Sequence, residues 1–102
     1  MSISSNVSSL QANQTFANNN ANNIANVNSD GFIPTNTTMS ENSANSVSAN
    51  SCLASDNGSS KSQTDLSKEL TDQVAIETIQ EANVTAIKTQ DELFGTLLDI
   101  KV

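Results

Sequence analysis

The chain has 102 residues, with 11 acidic side chains against 4 basic ones, no histidine, a single cysteine, and three aromatic residues, all phenylalanine. That length allows at most one domain, and so few large apolar anchors leave little to build a core from. A formal charge of −7 without any arginine argues against a phosphate-neutralising face and hence against nucleic-acid binding, while the missing histidine and the lone cysteine leave a zinc site or a nucleophile–base pair without materials.

The N-terminus carries neither a basic n-region nor a continuous apolar stretch, so neither a cleaved signal peptide nor a membrane-spanning helix is expected. Residues 1–28 instead predict an amphipathic helix. Ile3, Val7, Leu10, Gln14, Ala17, Ala21 and Ile24 recur at alternating spacings of 4 and 3, the pattern of a helix that packs on another helix. The filling is poor, because Asn at 13, 18, 19, 20, 22, 23 and 26 each costs roughly 0.5–0.7 kcal/mol relative to Ala. Packing must supply what propensity does not.

The pattern stops at Asn28-Ser29-Asp30-Gly31-Phe32, where Asp-Gly marks a turn, and Ile33 before Pro34 is biased toward extended backbone. From Thr35 to Ser62 the chain is rich in Ser, Asn and Thr, with Val47 and Leu53 as its main apolar residues and Asn57-Gly58 as a further turn signal. The expectation there is a loosely ordered linker. Cys52 lies inside it with no cationic neighbour to activate a thiolate and reads as an incidental thiol.

The second helix is predicted from Asp65 to Ile100, with Asp65 as N-cap, Glu69 and Asp72 near its positive end, and Lys101 at its negative end. Ile76, Ile79, Asn83, Ala86, Gln90, Leu93, Leu97 and Ile100 form its seam, which Ile87 and Phe94 widen on one flank. Asn83 and Gln90 read either as tolerated polar residues or as hydrogen bonders that fix register. Leu66, Leu70 and Val74 fall off this stripe, and Leu70 and Val74 are expected to stay accessible within one chain and to be buried by another chain in an assembly. Asp91-Glu92 lie on the polar face as solvated carboxylates, and Gly31, Gly58 and Gly95 compose no phosphate-cradling motif. No enzyme activity, cofactor or metal is therefore expected. The fold class is all-α: two long terminal helices in an antiparallel helical hairpin or coiled coil, divided as residues 1–32 (helix and turn), 33–64 (polar linker) and 65–102 (closing helix).

Both ends of the chain resemble the axial proteins of the bacterial flagellum, the rod and hook family. At the front, Ala21-Asn22-Asn23-Ile24-Ala25-Asn26-Val27-Asn28-Ser29-Asp30-Gly31-Phe32 is similar to the family's helix end and turn, with Ser29-Asp30 where Thr-Pro is usual. At the back, Asp65–Leu70, Glu81-Ala82-Asn83 and Ile87–Leu98 look like its closing helix, with Thr78 and Gln80 where an Arg and an aromatic are usual. The resemblance implies a structural subunit of the rod (basal body) or hook, exported by the flagellar type III system and polymerised with itself or other axial proteins through its terminal helices. The assembly interface would then comprise Ile3, Val7, Leu10, Ala17, Ala21, Ile24, Ile76, Ile79, Asn83, Ile87, Leu93, Phe94 and Leu97. The alternative is an assembly regulator or chaperone-like module that copies subunit ends. An amphipathic helix lying on membranes is disfavoured because the polar face is acidic.

Overall fold

The computed structural model describes residues 3–41 and 46–101, and in it four elements follow one another: α1 (Ile3–Ala25), β1 (Thr35–Glu41), β2 (Val47–Leu53) and α2 (Leu66–Lys101). Met1 and the side chains of Ile3, Ile100 and Lys101 lie outside what is described. The molecule is a rod of 67 × 25 × 14 Å. α1 is its middle layer: α2 packs antiparallel against one side and the strand pair against the other, while among the described residues the strands do not reach α2.

The all-α expectation is overturned by the middle of the chain. Thr35–Glu41 and Val47–Leu53 form an antiparallel β-ladder in which Thr35 pairs with Leu53, Met39 with Ala49, and Glu41 with Val47. The segment expected to be a loose linker therefore holds a hairpin. A two-stranded ribbon is marginal alone in water, and α1 supplies the third layer that this one lacks. Asn19 Nδ2 donates to Thr37 Oγ1 and Ser51 Oγ, both at 2.8 Å. Ser8 Oγ donates to the Val47 carbonyl at 2.8 Å and accepts from its N–H at 3.0 Å. The Asn23 amide grips Thr35 in the same two-handed way, donating to its carbonyl at 2.9 Å and accepting its N–H at 3.0 Å.

α2 starts where the sequence places its cap. Asp65 Oδ1 accepts the Lys68 N–H at 3.3 Å and its carbonyl accepts the Glu69 N–H at 3.0 Å, which satisfies donors that the first turn would otherwise leave open. Lys68 and Asp72, one turn apart, form an ion pair at 2.8 Å.

α1 carries no acidic residue in its first turn and no basic one in its last, so its C-terminal carbonyls need partners from elsewhere. The segment preceding α2 provides them: Ser62 Oγ donates to the Asn26 carbonyl at 2.7 Å and Thr64 Oγ1 to the Asn23 carbonyl at 3.1 Å. The same segment runs alongside the turn after α1, with the Gly31 N–H donating to the Ser60 carbonyl at 2.9 Å and the Gln63 N–H to the Phe32 carbonyl at 3.0 Å. Gly31 adopts φ +75°, as the Asp-Gly signal leads one to expect. Apart from Pro34, the buried apolar side chains among the described residues are Ala12 and Ile76. The centre of the rod is otherwise built of amides.

Candidate functional site

The helix pair is joined by polar side chains at heptad spacing. On α1 the buried asparagines are Asn6, Asn13 and Asn20, each seven residues from the next, with Asn23 one turn beyond. On α2 the facing line is Glu69, Ile76, Asn83 and Gln90, again in steps of seven, of which the first three are buried and Gln90 is half-buried. Because the helices run antiparallel, the two lines meet in reverse order. Asn6 Nδ2 donates to Gln90 Oε1 at 2.8 Å, Asn83 Nδ2 to Ser9 Oγ at 2.9 Å, and Asn13 Nδ2 to the Ile76 carbonyl at 3.0 Å.

The ladder ends on a carboxylate. Glu69, only 2 % exposed, accepts at Oε1 from Asn20 Nδ2 at 3.3 Å and from Asn23 Nδ2 at 3.0 Å, and its backbone carbonyl accepts from Asn20 Nδ2 at 2.8 Å. The Lys68 ammonium stands 3.7 Å from Oε2. A buried charge is tolerated only when hydrogen-bonded and paired, and Glu69 is both. Asn23 thus holds Glu69 on one side and β1 on the other, tying the three layers at one side chain.

At the other end the ladder is less complete, since the amide oxygens of Asn6 and Asn13 are buried without a hydrogen-bond partner. Each such atom costs on the order of 1–3 kcal/mol. Amide-to-amide and amide-to-backbone bonds have direction and fixed reach, so the arrangement sets axial register between two helices, while apolar burial contributes little to holding it. Among the described residues no cluster of three or more metal-ligating side chains exists.

The residues expected to form the interface fall into three groups. On α2, Ile76 and Asn83 are buried against α1, and Ile79 and Ile87 are half-buried beside them. On α1 the pairing seam runs one residue away from the expected stripe. Val7 is exposed, Leu10, Ala17 and Ile24 are half-buried, and Ala21 is exposed, because Asn6, Asn13 and Asn20 occupy the centre that the apolar residues were expected to take. Ala17, Ala21, Ile24 and Ala25 instead border an open groove of ≈ 440 Å³ whose other wall is Leu70 and Ile76. Leu70 and Val74 are 50 % and 64 % exposed within the single chain, as their off-stripe phase implies.

The third group lies past the ladder. Past Gln90, which Asn6 reaches near the N-terminal end of α1, Leu93, Phe94, Leu97 and Leu98 are 61 %, 63 %, 63 % and 54 % exposed. Sequence reasoning missed Asn6, Asn13, Asn20, Asn23 and Glu69 as contact residues. The signal available was the sevenfold repeat of Asn itself, in phase with Glu69, Ile76, Asn83 and Gln90. No family model matches the chain, and no curated protein matches it either.

Proposed function

We propose that this chain is a structural subunit of the bacterial flagellar rod or hook, built into a helical tube by its terminal helices. The observation that carries the reading is the projecting end of α2, where four large apolar side chains stand more than half exposed. A stretch of that kind is an interaction surface on a soluble chain, and its natural occupants are neighbouring axial subunits. The alanine-lined groove with Leu70 gives the same chain a second, different apolar surface. Two unlike surfaces on one protomer are what a heterologous, open-ended contact requires. The resemblance of both ends to axial proteins supplies the identity of the assembly. Catalysis has no place in this function.

The second reading, an assembly regulator or chaperone-like module that imitates subunit ends, is favoured by the polar ladder, which lets the two terminal helices satisfy one another inside one chain. Fractionation separates the two. The structural reading expects the protein in purified hook–basal bodies, resistant to the washes that strip soluble proteins; a purely soluble cytoplasmic pool would overturn it.

A further inference from the structure

The loop between β2 and α2 contains Asn57-Gly58, the chain's single Asn-Gly step, and the groups around it are arranged for chemistry on that asparagine. Gly58 has φ +80° and no side chain to crowd its neighbours, with nothing within 4 Å of where a Cβ would sit. That N–H donates to Asp56 Oδ1 at 2.8 Å. The Asn57 side-chain carbonyl accepts the Ser59 N–H at 2.9 Å, which draws electron density from Cγ. Gln63 holds the assembly from the far side, donating from Nε2 to Asp56 Oδ1 at 2.8 Å and accepting the Asn57 N–H at 3.1 Å. Residues 55–61 are all exposed to water.

We propose that Asn57 is a site of spontaneous, self-assisted deamidation in which Asp56 serves as the base. The Gly58 N–H gives its proton to the Asp56 carboxylate as the nitrogen bonds to Asn57 Cγ. The Cγ–Nδ2 bond then breaks, and Nδ2 departs as ammonia carrying that proton. The resulting five-membered succinimide is opened by a solvent water at either carbonyl, leaving aspartate or isoaspartate at position 57. The Ser59 N–H stabilises the oxygen that becomes negative during attack, the role a preorganised backbone donor has in acyl transfer. The Asp56 carboxyl, held below its ordinary range by hydrogen bonds from Gln63 and from the Gly58 N–H, is an ionised acceptor at neutral pH as any exposed carboxylate is, and acts through its position.

The other glycine turn of the chain shows what is special here. Gly31 follows Asp30, but its N–H is committed to the Ser60 carbonyl at 2.9 Å, a neutral acceptor that cannot take a proton. Conversion at Asn57 adds one negative charge, and the isoaspartate product adds a methylene to the backbone beside the Gln63 clamp. The segment that delivers Ser62 and Thr64 to the end of α1 is then displaced.

The test is incubation of the full chain in neutral buffer with peptide mass spectrometry over time, resolving aspartate from isoaspartate. Asn57 is expected to convert about tenfold or more faster than Asn28 and Asn50, which precede serine, and Asp56→Ser to slow it about tenfold, in line with the loss of a positioned base. In concentrated urea the two proteins are expected to convert at the same rate. Equal rates for wild type and Asp56→Ser in the folded state would overturn the proposal. So would folded wild-type chain that converts more slowly than unfolded chain, or a difference between the two proteins that persists unchanged in urea.

Discussion

The two halves of α2 are opposites. From Glu69 to Gln90 it is covered by α1 and presents mostly polar side chains to that cover; from Leu93 to Leu98 it stands more than half exposed and presents leucine and phenylalanine to water. A self-contained helical hairpin has the reverse arrangement, with its apolar residues in the seam and its polar ones at the free end. The difference teaches that intramolecular pairing here selects a register at small gain, and that the larger apolar surface is left exposed within the single chain.

The largest effect expected from breaking this contrast is at the free end. Leu93→Ala and Leu97→Ala should each weaken assembly by on the order of 2–4 kcal/mol when those side chains are buried by a neighbour. The unfolding free energy of the isolated chain should move by less than about 0.5 kcal/mol. Sedimentation for the first and urea titration for the second would show it, and comparable losses in both would mean that the free end is covered by its own chain.

Next in size is the carboxylate end of the ladder. Glu69→Ala strips the acceptor from Asn20 and Asn23 inside a buried site and should destabilise the chain by about 3 kcal/mol, read from the urea midpoint at constant slope. A loss below about 0.5 kcal/mol would show that the amides find other partners.

The amide end should respond in the opposite sense. Replacing Asn6 and Gln90 together by leucine removes an amide oxygen that has no partner and a polar pair of small net worth, so the double variant should be more stable by about 1–2 kcal/mol. Its register should be less well defined, visible as broadened amide resonances. Loss of stability would mean that the Asn6–Gln90 bond does more than fix alignment.

The smallest effect concerns Lys68. Its hydrogen bond to Asp72 holds the ammonium above its ordinary value of 10.5, with burial opposing and Glu69 adding attraction. A raised lysine pKa stabilises the fold fully below that ordinary value and ceases to do so as pH climbs through the higher folded one. With the side chain half exposed, screening limits the contribution to about 0.3–0.5 kcal/mol. Asp72→Asn should therefore lower the melting temperature at neutral pH by about 1–4 °C and remove its alkaline dependence.

What the sequence reveals differs by element. α2 is legible in its start, its length and its phase because leucine, isoleucine and glutamate agree with one another, and Asp65 caps as its residue type suggests. α1 is legible as a helix but not in rotation. Its apolar residues mark a face that borders the groove, whereas the buried line is asparagine, a residue that ordinary patterning assigns to solvent. The hairpin escaped because serine and asparagine dilute the alternation of Val47, Ala49 and Ser51, and because its stability rests on Ser8, Asn19 and Asn23, which are remote in sequence.

The capping of α1 by Ser62 and Thr64 bears on the order of events at the ribosome. Asn6 emerges well before its partner Gln90, which lies 84 positions later, and the hydroxyls that finish the end of α1 arrive only just before α2. Contacts this remote delay folding. The helix pair therefore stays unmade until α2 has emerged, and a factor that binds the α1 segment during that interval meets it without its helical partner.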